Sequence, residues 1–163
     1  MIKKIINNLL PISSRCKTKV TGSSTTDGLI KNSKQMNVQI TSGIKVSVKA
    51  VYQPEYSNPD NMHFMFSYQI TIENVGDITV QLVNRHWNIF DSIGEFKQVE
   101  GEGVVGEQPI LIPGTVYQYV SGCNLKSEVG YMEGYYEMRS EIAQGYFQVE
   151  IPRFNLIASY KLN

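Results

Sequence analysis

From Ile44 onward, apolar and polar residues alternate along the chain. Ile44, Val46, Val48, Ala50 and Tyr52 fall on one side of an extended segment, with Lys45, Ser47 and Lys49 on the other. Phe64, Phe66, Tyr68, Ile70 and Ile72 alternate in the same way with Met65, Ser67, Gln69, Thr71 and Glu73. A period of two places one set on a core and the other in water, which predicts two β-strands. Gln53–Asn61, with two prolines and several turn formers, separates them. Asn74-Val75-Gly76-Asp77 ends the second strand in a tight connection. A third extended run, Ile78–Asp91, slips in phase: Val80 and Leu82 suit one face, while Trp87 and Ile89 suit the other. A β-bulge near Val83–Arg85 reconciles the two halves.

The remainder of the chain continues in short extended pieces. Ser92-Ile93-Gly94 turns into a strand over Glu95–Glu100, and a long glycine loop follows. Ile110–Ile112, Val116–Val120 and Met132–Met138 are the next strands, the last with Met132, Gly134, Tyr136 and Met138 on one side. Phe147–Ile151 is another, limited by Pro152, and Phe154–Tyr160 pairs at an edge. No stretch after Val38 carries a helical period. Seven or more short strands at this spacing predict an all-β chain, a sandwich of two antiparallel sheets.

The first 37 residues differ in character. Rich in Ser, Thr, Asn and Lys, they read as a flexible tail, and 38–163 read as a single folded domain. The opening M-I-K-K-I-I-N-N-L-L-P-I is basic and then apolar. Two readings stay open: a targeting-like segment that would send the chain to an organelle, or a plain extension of a cytoplasmic protein. Of 15 basic and 15 acidic residues, seven basic and one acidic lie in 1–37, so the tail carries +6 and the body −6. An acidic body argues against a phosphate-backbone partner, hence against nucleic acid. No apolar run reaches the 18 residues of a membrane span. Two cysteines, Cys16 and Cys123, make neither a disulfide framework nor a zinc motif.

Candidate chemistry gathers at residues 99–109. Gly101, Gly103 and Gly106 spell G-x-G-x-x-G, a dinucleotide pattern that works when a strand precedes it and a helix N-terminus follows. Here Gln108 and Pro109 follow, then another β-like run, so no cofactor cradle of that kind is expected. A nest of backbone amides there, with Arg85 and His86 nearby, is the candidate phosphate or pyrophosphate site. Glu102 and Glu107, along with Glu100, are candidate oxygen ligands for a divalent cation such as cobalt or magnesium. The competing structural reading is a loop whose glycines serve positive φ angles and a close crossing of the sandwich. His63 and His86, the only histidines, are too few for catalytic zinc. Cys123 and Ser121 lack an activating base, so no enzyme is expected. Ten tyrosines serve mainly packing, and exposed members of Tyr117, Tyr119, Tyr131 and Tyr135 are candidates for a partner surface.

Four separated signatures carry a family resemblance. They are R-H-W at Arg85–Trp87, V-E-G-E-G-V-V-G-E-Q-P at Val99–Pro109, S-G-C-N-L at Ser121–Leu125 and G-Y-M-E-G-Y-Y-E-M at Gly130–Met138. In order and spacing, the chain from about Val38 to Leu162 resembles the ApaG domain family. The resemblance implies an immunoglobulin- or fibronectin-III-like β-sandwich with no established activity, no resident cofactor, and an association with cobalt and magnesium efflux. It also implies an adaptor-like role through a protein partner, with a homo-oligomer left open. The tail lies outside the resemblance.

Overall fold

The computed structural model describes residues 36–140, 142 and 145–159, all within one compact unit spanning Lys34–Asn163. The tail reading over 1–35 lies outside the described residues. Among the described residues nine strands follow in order: β1 Asn37–Thr41, β2 Ile44–Tyr52, β3 Phe64–Asn74, β4 Val80–Asp91, β5 Glu95–Glu102, β6 Ile110–Leu111, β7 Val116–Leu125, β8 Val129–Ser140 and β9 Tyr146–Ile157. Two 3₁₀ turns, Pro54–Tyr56 and Pro59–Asn61, lie between β2 and β3. One sheet runs β1-β2-β3-β7; the other runs β5-β4-β8-β9, with β6 pairing β4. All pairings are antiparallel. In immunoglobulin lettering β2-β3-β7 is A-B-E and β5-β4-β8-β9 is C′-C-F-G, the expected two-sheet sandwich.

Alternation builds the core as predicted. Ile44, Val46, Val48 and Tyr52 of β2 and Phe64, Phe66, Tyr68, Ile70 and Ile72 of β3 are all buried. They face Leu82, Trp87, Met132, Tyr136, Met138 and Phe154 of the other sheet within one cluster. Each large side chain fully removed from water contributes about 1.5–3 kcal/mol. Trp87 packs edge-on against Tyr68 and Phe154, with ring centroids 5.6 and 6.0 Å away.

The phase slip in β4 is a bulge: the register against β8 shifts between Leu82 and Asn84, leaving Val83 as the extra residue. Several boundaries differ from expectation. β7 runs through Ser121–Leu125, and β5 continues to Glu102. β9 does not stop at Pro152 but passes through it, since Met132 pairs Phe154 while Gly134 pairs Ile151. A second bulge at Pro152–Arg153 absorbs the missing N–H of the proline.

Candidate functional site

Strand pleating sorts the residues of interest onto two faces. With Val83 bulged out of phase, Leu82, Arg85 and Trp87 point into the sandwich, while Asn84, His86, Asn88 and Phe90 point outward. Arg85 and His86 therefore lie on opposite sides of the sheet and share no site.

On the inner side, Arg85 belongs to the glycine segment. A Cβ built on Gly101 would lie 3.0–3.2 Å from the Arg85 guanidinium, which covers that glycine. Its Nη1 donates to the Glu102 and Gly103 carbonyls at 2.8 and 2.7 Å. The expected long loop is a short hairpin extension. Val104 and Glu107 bridge through two backbone bonds of 2.8 and 3.0 Å around Val105 and Gly106. Both turn residues have positive φ, 52° and 85°, the signature of a type I′ turn. Gly103 has φ 54°, and a Cβ there would fall 2.1 Å from the Glu107 carbonyl oxygen. The amides of Gly103, Val104 and Glu107 donate to Val83, Glu107 and Val104. These donors are spent inside the fold rather than converging on an anion.

The three candidate carboxylates diverge. Glu107 accepts from the Tyr117 hydroxyl at 3.0 Å, Glu102 is exposed, and Glu100 lies against His86. Burial, and then the Glu107 hydrogen bond, push the Tyr117 phenol up to about 12. Among the described residues no three His, Cys, Asp or Glu side chains come together to hold a metal. Beneath Arg85, Tyr119 and Tyr136 share a hydroxyl–hydroxyl bond of 2.5 Å, and burial raises both phenols. Burial also pushes the Cys123 thiol up to about 12, so it stays protonated at neutral pH.

The outward face of the β5-β4-β8-β9 sheet is organised in rungs that cross its strands. Residues opposite one another in register share a face, so each rung reads directly from the pairing. One rung is Phe96–Phe90–Tyr131, with Arg153 at its end. The next is Gln98–Asn88–Glu133. The third is Glu100–His86–Tyr135–Glu150, and the fourth is Glu102–Asn84–Glu137–Gln148. Phe90 and Tyr131 stack at 5.1 Å, and His86 and Tyr135 at 4.3 Å. Glu100 Oε1 lies 3.1 Å from His86 Nδ1 but off the line of a hydrogen bond, which leaves that buried nitrogen without one. Phe96 is 54% exposed at the end of its rung. Five glutamates (Glu100, Glu102, Glu133, Glu137 and Glu150) share this face.

A groove of about 500 Å³ opens on this face, lined by Gln39, Asn88, Glu133, Tyr135, Glu150 and Pro152 among others. Of the tyrosines singled out from sequence, Tyr131 and Tyr135 lie on this face, Tyr119 is buried, and Tyr117 stands on β7 and donates to Glu107 of the hairpin. Sequence reasoning missed the partners across the strands: Phe90, Phe96, Glu133, Glu150 and Arg153. Pairing register, which no single segment displays, brings them together.

Residues 54–140 match the family model described as the ApaG domain. Over 121 residues the chain is 46% identical to Protein ApaG of Paramagnetospirillum magneticum, covering 74% of this chain and 92% of that protein. The chain belongs to the ApaG family. Protein ApaG of Acidithiobacillus ferrooxidans is also 46% identical, over 124 residues that cover 76% of this chain and 97% of that protein. A crystal structure named for an ApaA protein of Bordetella pertussis is 36% identical and superposes with a TM-score of 0.68, covering 77% of this chain and 97% of the other. The ApaG family match takes in the whole Gly101–Gly106 segment and the outer-face strands β4, β5 and β8, and it ends at Ser140, before β9.

Proposed function

We propose that this ApaG-family chain is a non-enzymatic binding module that grips a protein partner with the outer face of its β5-β4-β8-β9 sheet. The observation that carries the reading is the stacked aromatic pair on each of two rungs, set among carboxylates on the outer face of the sheet, with β1 bordering it at β9 through Gln39 and Thr41. A merely solvated sheet face carries scattered polar residues. Clustered aromatic rings with a polar surround are the composition of an interface centre. The protonated Cys123 thiol and the spent amides of the glycine hairpin add support, since neither offers an activated nucleophile or an open anion cradle. Among the described residues no helix is long and apolar enough to cross a membrane. In this reading the module works in the cytoplasm, and the family's association with cobalt and magnesium efflux runs through a partner that handles the ion.

The test is photo-cross-linking in cells from a benzophenone amino acid at position 98, on the β5 edge of the face beside Phe96, in the full chain. Substituting Phe96→Ser and Tyr131→Ser together removes the cross-linked partner in this reading. Partner capture that survives those changes and is lost instead on substitution of Val105 and Gly106 would move the site to the hairpin and overturn the proposal.

A further inference from the structure

We propose that the partner presents a basic segment, and that an arginine or lysine of that segment seats on Tyr135 beside Glu150. This rests on the reading of the sheet face as a protein-binding surface and narrows the chemistry of its partner. The molecule already holds one guanidinium on this face. Tyr131 is stacked on Phe90 on one side and carries Arg153 over its ring, 4.1 Å from the centroid. Arg153 Nε and Nη2 donate to the two Glu133 oxygens at 2.7 and 3.1 Å, which raises its pKa further. An aromatic plate with a carboxylate alongside is a good seat for a planar cation.

Two rungs along, the arrangement repeats without its cation. Tyr135 is stacked on His86 as Tyr131 is on Phe90, and Glu150 stands directly opposite Tyr135 in the β8–β9 register. The groove lies over these residues, where a guanidinium would complete the pattern. Among the described residues, no hydrogen bond or ion pair draws on the Glu150 carboxylate. The only cation on the groove wall, Arg153, is held by Glu133. Charge complementarity selects a cation, and the aromatic wall selects one carried on a side chain over a bare metal ion, which wants a full shell of oxygens. The five glutamates of the face would also draw a basic segment in and repel an acidic one.

The probe is acetyl-Gly-Gly-Arg-Gly-Gly-amide, with the uncharged citrulline peptide as its control, titrated into the ¹⁵N-labelled full chain at near-physiological salt. Shifts are expected at Gly134, Tyr135, Glu150 and Ile151 with the arginine peptide and not with citrulline. Glu150→Gln should weaken binding by about tenfold, and Tyr135→Phe should leave it unchanged because the ring remains. Glu150 is exposed, so its substitution leaves the fold intact. Shifts spread evenly over the acidic body, or binding indifferent to Glu150→Gln, would overturn the inference. The cross-link from position 98 separates the two levels. A partner lost on Phe96→Ser with Tyr131→Ser but kept with Glu150→Gln ends the basic-segment inference and spares the interface. A partner indifferent to all three ends both.

Discussion

Replacing Gly103 with alanine adds a single methyl group, and the structure gives its consequences in detail. The new Cβ would lie 2.1 Å from the Glu107 carbonyl oxygen and 2.8 Å from its carbon. Backbone, not a yielding side chain, occupies that space, so the hairpin must open. A φ of 54° adds about 1 kcal/mol for any residue with a Cβ. Opening the hairpin strains or breaks the two Val104–Glu107 bonds and the Gly103–Val83 bond, each contributing about 1 kcal/mol. Partial exposure of Val104, which is fully buried, brings the total to about 3–5 kcal/mol. For a domain of this size the melting temperature should fall by more than about 10 °C. Gly106→Ala is the internal control: φ is 85°, yet nothing lies within 4 Å of its Cβ, so the loss stays near 1 kcal/mol. Urea unfolding followed by circular dichroism measures both. If Gly103→Ala costs no more than Gly106→Ala, close backbone approach is not what the first glycine serves, and the structural account of the segment fails.

Val105 sits at φ 52° with 53% exposure, so Val105→Asn, a residue that tolerates the first position of a type I′ turn, should stabilise the chain by about 1 kcal/mol; a lower melting temperature would show that the valine side chain makes a contact worth more than its strain. Tyr68, Tyr117, Tyr119 and Tyr136 all have raised phenol pKa values, chiefly through burial, so their neutral forms stabilise the fold fully below pH 10, and that stability drains away as pH rises past 10 and through 12. Absorbance at 295 nm should show these phenols ionising only as the β-sheet signal collapses; ten tyrosines titrating near pH 10 with the fold intact would contradict it. Buried Asp91 accepts from the Lys126 amide at 2.6 Å and from the Ser127 hydroxyl, so Asp91→Asn should cost about 2–3 kcal/mol by turning an amide donor toward one of them, and equilibrium unfolding would read it.

The sandwich was legible because burial follows the two-residue period so closely in β2, β3 and β8. Even the β4 bulge announced itself, since Leu82 and Trp87 cannot share a face across an unbroken alternation. Pro152 misled in the opposite direction: a residue that cannot donate to a ladder reads as a terminus, but a bulge needs no donor at that point. The glycine segment reads as a long loop because Val105 is a poor residue for a type I′ turn, so the tight hairpin leaves no mark in composition. Arg85 and His86 read as one site because they are neighbours in sequence, although adjacent strand residues face apart. The outer face was illegible for a different reason. Phe96, Phe90, Tyr131 and Arg153 come from four strands, and each segment alone shows only an ordinary alternating residue.

The bulge ties the glycine hairpin to the sheet face that lies beyond it. The Val83 carbonyl accepts from the Gly103 amide at 2.7 Å and from the Gln108 side-chain amide at 2.9 Å. The hairpin is thus anchored on the residue that resets the phase of β4. Without that reset, continued alternation from Leu82 would carry His86 inward and turn both Arg85 and Trp87 out to water. With it, His86 stacks under Tyr135, and Arg85 spans the Glu102 and Gly103 carbonyls that fasten the hairpin in turn. Hairpin and bulge hold each other, and the aromatic rungs depend on the register they fix. The glycine pattern lets the backbone come close enough to lock one strand's register, and through that register it sets which side chains line the outer face.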